Sequence, residues 1–112
     1  MPKVRVDIVK GTRTPEQKKK LLDVIHEALV QAIGIPVDDR LQVLLEHDRT
    51  NFYIPFMLSD VYVNIDIVMY PGRTEEAKKR LFELIKEGLG KEGCKPEEVM
   101  ITLHDPGLQN WG

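Results

Sequence analysis

The chain has one cysteine, Cys94, so it cannot form a disulfide within itself, and a reducing compartment is expected. It has no apolar run long enough for a signal core or a membrane span, because Lys3, Arg5, Asp7 and Lys10 interrupt its first residues. A cytoplasmic protein with no membrane partner follows as the expectation. It also lacks a strong net charge. Sixteen Lys and Arg against 18 Asp and Glu leave −2, which removes the electrostatic case for a nucleic-acid partner. The run Lys18-Lys19-Lys20 sits among Glu16, Asp23 and Glu27 and reads as the solvated face of a helix. His26, His47 and His104 have no metal-ligand spacing and read as structural. There is no phosphate-binding glycine loop, no serine-nucleophile elbow and no dinucleotide fingerprint. Neither a metal nor a cofactor is expected, and nothing marks Cys94, in a glycine-rich turn, as a nucleophile.

What the chain does have is an internal repeat. Its 112 residues, 42% hydrophobic and 30% charged, suit one globular domain over 1–112. Val4-Arg5-Val6-Asp7-Ile8-Val9 aligns with Val63-Asn64-Ile65-Asp66-Ile67-Val68 at an offset of 59. Arg13-Thr14 through Leu21-Leu22 aligns with Arg73-Thr74 through Leu81-Phe82 at an offset of 60, and Ile25, Leu29 and Pro36 meet Ile85, Leu89 and Pro96 in the same register. A duplicated unit is the economical explanation, with copies over 1–48 and 60–105.

Each unit reads strand, helix, strand. Val4, Val6 and Ile8 alternate with Lys3, Arg5 and Asp7, as a half-buried strand requires. Thr14 suits an N-cap, with Pro15 at the first helical position and Gln17 completing a capping box. Leu21, Leu22, Ile25, Leu29, Ala32 and Ile33 form a helical stripe that Gly34 and Pro36 end. Leu41, Val43 and Leu45 then alternate in a second strand. The second unit predicts a strand near 61–69, a helix near 74–90, whose end Gly88, Gly90 and Gly93 weaken, and a strand near 98–104. Residues 49–60, with Pro55 among them, predict a loop or a short irregular strand.

A strand–helix–strand crossover makes its two strands parallel with a right-handed connection. Two such units related by a pseudo-twofold axis give an α+β fold: a four-stranded mixed sheet with both helices on one face. The first and third strands then pair antiparallel at the centre. The Val and Ile residues at 4–8 and 61–69 are expected to supply an apolar outer face for assembly as a homotrimer.

This topology has a chemical consequence at the N-terminus. Trimming of Met1 would leave Pro2 with a free secondary amine, a compact base that ordinarily titrates near ~7.7–8.0. An apolar pocket and a nearby cation lower such a value toward the range where a general base works best. The antiparallel pairing brings Pro2 near the Pro71-Gly72-Arg73 turn, and the parallel pairing brings it near Asp38, Asp39 and Arg40. An amine, a guanidinium and a carboxylate thus converge from three places. Arg13 falls at the opposite end of the sheet and reads as structural or as a subunit contact.

At this point the chain resembles the tautomerase superfamily, which uses an amino-terminal proline. The marks are Met1-Pro2 before a strand, Gly72-Arg73-Thr74 opening a helix with Lys78 following, and the tandem units. The long-chain members similar to malonate semialdehyde decarboxylase and the 4-oxalocrotonate tautomerase-like proteins look nearest, through Gly34-Ile35-Pro36-Val37-Asp38-Asp39-Arg40, Gln42, His47 and Asn110-Trp111. The resemblance implies Pro2 as the catalytic amine and Asp39 as the residue that orients a water or the substrate. It implies Arg73 as the ligand of a substrate carboxylate and Trp111 as part of an apolar pocket wall. It implies cofactor-free keto–enol isomerisation of a small 2-oxo or enol carboxylate, with decarboxylation or hydration of a 3-oxo acid as the alternative on the same scaffold. The decarboxylases carry a second arginine two residues before the one matched here, where this chain has Pro71. A non-catalytic oligomeric interaction protein is the reading from a different class.

Overall fold

The computed structural model describes residues 2–112, so the fate of Met1 lies outside the described residues. The chain runs β1 (Lys3–Val9), α1 (Pro15–Ile33), β2 (Gln42–His47), β3 (Val63–Val68), α2 (Glu75–Lys91) and β4 (Val99–His104), with short 3-10 turns at Arg49–Asn51, Pro96–Glu98 and Leu108–Asn110. The sheet order is β2-β1-β3-β4. β1 pairs parallel with β2 and antiparallel with β3, and β3 pairs parallel with β4. This is the α+β arrangement that the repeat predicts.

Local sequence accounts for the helix boundaries. The Thr14 side chain accepts from the Gln17 amide, the Gln17 side chain accepts from the Thr14 amide, and Pro15 opens α1. Gly34 ends α1 at φ 78°, a left-handed conformation that costs glycine no Cβ clash. Thr74 caps α2 by accepting from the Ala77 amide, without the reciprocal bond because residue 77 carries no amide side chain. The stripes of both helices then pack on the sheet. Leu21, Ile25, Leu29, Leu81, Ile85 and Leu89 are buried against Val6, Ile8, Ile65 and Ile67. Burying each such side chain stabilises by roughly 1.5–3 kcal/mol. Gly88 sets the spacing of the helices: a Cβ there would lie 2.5 Å from Val24 Cγ1 of α1.

The uncovered face corrects one expectation. Apart from Val68, the Val and Ile side chains at 4–8 and in β3 do not form it; Val4, Val6, Ile8, Val63, Ile65 and Ile67 are buried on the helix side. A strand presents alternate residues to opposite faces, and the helices cover the more apolar set. By the pairing register the outer face takes Lys3, Arg5 and Asp7 from β1, and Asn64, Asp66 and Val68 from β3. Leu41, Val43 and Leu45 line a groove there with Val68 and His104, so their alternation marks the outer face and not the core. The repeat extends to this polar surface: His47 Nε2 lies 2.6 Å from Asp7, and His104 Nε2 lies 3.6 Å from Asp66. The Asp7 carboxyl is held below its ordinary range: burial pushes it up, but the hydrogen bonds from His47 and Arg5 outweigh that. Residues 49–60 hold the Arg49–Asn51 turn and no strand, and they leave Tyr53, Phe56 and Met57 exposed.

Candidate active site

The end of the sheet where β1 starts gathers the residues singled out above. Pro2 is buried. It shares a tight crevice with His26 and Leu29 of α1, Ile35, Asp39 and Leu41. Two sequence features shape the crevice. Gly34 turns the chain out of α1, and the Asp39 amide then donates to the Pro36 carbonyl at 3.1 Å, a turn that returns the chain to the sheet. Arg40 is tied by two side chains: its Nε donates to Gln42 and its Nη2 to Asp23 of α1, both at 2.8 Å. Asp39 and Arg40 both line the crevice with Pro2, and these two bonds hold the Arg40 side chain in place. His26 is buried, and its Nε2 lies 2.6 Å from the Val37 carbonyl, which fixes the same turn from the helix side.

Arg73 comes to this end of the sheet by register. Lys3 pairs with Val68, so the chain leaving β3 passes the start of β1. The Met69 amide donates to the His104 carbonyl at 2.9 Å, and Tyr70, Pro71, Gly72 and Arg73 follow as a turn with Gly72 at φ 113°. Arg73 is exposed and has no hydrogen bond or ion pair with any described residue. It does not line the Pro2 crevice. In that sense the structure brings Pro2 and Asp39 into contact with one space, and Arg73 to the neighbouring turn.

Trp111 belongs to that turn. Its ring meets Tyr70 edge-on, with centroids 4.7 Å apart, and its Nε1 donates to the Pro106 carbonyl at 3.2 Å. The Lys3 ammonium lies 5.7 Å from the Trp111 ring centre. The C-terminal stretch is anchored from the helix layer by Lys78, whose Nζ lies 2.7 Å from Asp105. The hydrogen bond from Lys78 holds the Asp105 carboxyl below its usual range, and the same bond raises the Lys78 ammonium. Sequence reasoning did not single out Lys3, Tyr70 or the position of His26 beside Pro2. His26 was legible in part, since it lies one position past Ile25 on the buried stripe. Tyr70 and Lys3 gave no signal, because their meeting depends on where the C-terminal turn packs.

Chemically, this end of the molecule offers a buried proline at the start of a strand, a carboxylate in the same crevice, and the guanidinium of an adjoining turn. It also offers an aromatic pair with a cation against it. Among the described residues no cluster of three His, Cys, Asp or Glu is placed to hold a metal ion. Among the described residues no helix is long and apolar enough to cross a membrane.

Comparison with known proteins is consistent along the whole chain. Two family profiles, each described as a tautomerase enzyme, match residues 2–60 and 39–112. The probable tautomerase YusQ of Bacillus subtilis is 31% identical over a 117-residue alignment that covers 99% of this chain and 91% of that one. The probable tautomerase YrdN of the same organism is 29% identical, covering 99% and 89%. Among solved structures, FG41 malonate semialdehyde decarboxylase inhibited by 3-bromopropiolate has a TM-score of 0.86 at 31% identity, over 98% of this chain and 87% of that one. An asymmetric trimer of a fused 4-OT shares the fold, with a TM-score of 0.86 at 23% identity over 98% and 90%. The chain belongs to the tautomerase family.

Proposed function

We propose that this protein is a cofactor-free keto–enol tautomerase acting on a small 2-oxo or enol carboxylate, and that it works as a homotrimer. Once Met1 is removed, the Pro2 amine is the general base. It takes a proton from the substrate and returns it at a different atom, interconverting enol and keto forms. Arg73 binds the substrate carboxylate through a charge-assisted fork and offsets negative charge that develops on the substrate oxygen. Asp39 orients the substrate or a water beside the amine. Trp111, braced by Tyr70, forms an apolar wall of the pocket.

The observation that carries this reading is the burial of Pro2 in one crevice with Asp39, at the sheet end that the Arg73 turn adjoins. A small amine among Leu29, Ile35 and Leu41 loses hydration of its charged form, which favours a neutral base. The second reading is decarboxylation or hydration of a 3-oxo acid, with Pro2 protonated and Asp39 directing the chemistry. The similarity to FG41 malonate semialdehyde decarboxylase supports it. Pro71 stands where the resemblance to the decarboxylases implies a second arginine, and this favours tautomerisation. Intact mass of the protein made in cells tests the common premise: the mass must lack Met1. A proline-directed covalent inhibitor must then add to it and must fail on Pro2→Ala. The pH profile of kcat/KM separates the two readings, since a base needs a neutral amine and an acid a protonated one. With an enolpyruvate-type substrate, Pro2→Ala is expected to lose most turnover while keeping its fold; unchanged activity would remove the amine from the mechanism.

A further inference from the structure

The repeat supplies an internal control for the turn that carries Asp39. At the offset of 60 that aligns the two helices, His26 of α1 meets Lys86 of α2. Lys86 is exposed and makes no hydrogen bond or ion pair among the described residues. His26 is 6% exposed and lines the crevice that holds Pro2 and Asp39. Its Nε2 lies 2.6 Å from the Val37 carbonyl. A carbonyl only accepts, so Nε2 carries the hydrogen and donates, which fixes the tautomer. Asp23 stands three residues earlier, on the same side of α1, and accepts from Arg40 Nη2 at 2.8 Å. The Leu22 carbonyl accepts from Gln42 Nε2 at 2.8 Å. One stretch of α1, residues 22–26, thus ties the chain at Val37, two residues before Asp39, and again at Arg40 and Gln42 just after it.

An apolar side chain of similar size would serve the core at least as well at position 26, because a buried polar group costs free energy unless it is hydrogen-bonded. What the imidazole adds is one directed bond, and that bond goes to the Asp39 turn. Only the copy of the repeat that begins with Pro2 carries it. We propose that His26 is a positioning residue: acting through the Val37 carbonyl, it holds the turn so that the Asp39 carboxylate stays in register with Pro2, and turnover rather than carboxylate binding depends on it. The proposal rests on the roles given above to Pro2 and Asp39. A reacting group displaced by about an ångström loses up to ~100-fold in rate, so a single bond that sets a turn is felt in the chemistry.

Steady-state kinetics with an enolpyruvate-type substrate read this directly. In His26→Leu, kcat is expected to fall about tenfold or more, while KM, set at Arg73, moves by less than about twofold. His26→Gln should recover most of the turnover, because its amide nitrogen reaches about as far as Nε2 and donates in the same way. Adding His26→Leu to Asp39→Asn should cost no more than Asp39→Asn alone, since nothing is left to position. A purely structural role predicts full turnover in the folded variant, whatever its urea midpoint. A second readout needs no catalysis. The Asp39 amide donates to the Pro36 carbonyl at 3.1 Å. Measured against the Val6 amide of the central strand β1, it should exchange its hydrogen about five- to tenfold faster in His26→Leu and recover in His26→Gln. Should His26→Leu not fold, His26→Asn, whose amide is too short to reach Val37, replaces it in both measurements. Full activity of Pro2→Ala would sink the reading of the site instead, and exchange at Asp39 would still decide whether His26 holds the turn. Unchanged kcat in folded His26→Leu, a loss that adds in full to that of Asp39→Asn, a glutamine variant no better than leucine, or unchanged exchange at Asp39 would overturn the proposal.

Discussion

At the scale of single residues, the repeat makes a controlled comparison possible. Arg13 and Arg73 occupy equivalent positions in sequence, each just ahead of a helix cap, where a cation is mildly unfavourable against the helix dipole. One of them is committed: Arg13 donates to Val61. The other has no partner among the described residues. The end of the sheet that each reaches was legible in the sequence, because antiparallel pairing of the first and third strands follows from the repeat. The details of their surroundings were not, because Val61 and Cys94 meet Arg13 only once the connector and the turn after α2 have packed. Replacing Arg73 by alanine is expected to lower kcat/KM for carboxylate-bearing substrates by about 10- to 150-fold, the value of roughly 1.5–3 kcal/mol for a charge-assisted contact. A rise in KM at level kcat assigns it to binding alone, and a fall in kcat adds stabilisation of developing charge. Arg13→Ala should cost less. Steady-state kinetics of the two variants check this, and a larger loss for Arg13→Ala would place the carboxylate at the wrong end of the sheet.

Elements were the most legible scale. Capping chemistry at Thr14 and the αL glycine at residue 34 are local, so the sequence carries them in full. The helix stripe and the first strand follow from periodicity. Two features escaped for a single reason: they depend on which neighbour an element meets. The alternation of Leu41, Val43 and Leu45 reads equally well on either face of a sheet, and the structure puts it outside. The glycines of α2 read alike as weaknesses near a helix end, which falls at Lys91, within one residue of the expected 90, and only their neighbours tell them apart. Gly88 and Gly90 now separate into different kinds. A methyl at Gly88 would press on Val24 Cγ1 at 2.5 Å, a stiff β-branched neighbour, whereas a methyl at Gly90 meets nothing within 4 Å. Gly90→Ala is expected to stabilise by about 0.4–1 kcal/mol, through helix propensity alone. Gly88→Ala gains the same propensity but incurs overpacking of about 1–3 kcal/mol, so it should be destabilised on balance. Urea unfolding of both variants tests the distinction; stabilisation of Gly88→Ala would mean that the α1–α2 contact yields more readily than its geometry implies.

For the whole molecule, the question is what covers the outer face of the sheet. Most of the Val and Ile residues of β1 and β3 (Val4, Val6, Ile8, Val63, Ile65 and Ile67) are spent on the helices, and of those expected outside only Val68 lines the groove. A different set takes their place. Leu41 and Val43 of the β2 side are 42% and 51% exposed, Met100 of β4 is 52% exposed, and Tyr53 and Phe56 of the connector stand at 92% and 95%. The groove over β1, β2 and β3 has a volume of about 620 Å³. Edge strands β2 and β4 also leave backbone donors and acceptors open to a partner. Scattered exposed apolar residues are ordinary on a monomer, but a run of them along one groove and one connector is what an interface buries. The polar residues on this face do not argue against assembly, because Asp7 and His47 already satisfy one another at 2.6 Å. Sedimentation at micromolar concentration is therefore expected to give a trimer. Val43→Asp, which places a charge in the groove without touching the helix side, is expected to give a folded monomer or a strongly weakened trimer. Far-UV circular dichroism separates dissociation from unfolding. If wild type sediments as a monomer, or if Val43→Asp remains fully trimeric, copies of this chain do not associate through the outer sheet face.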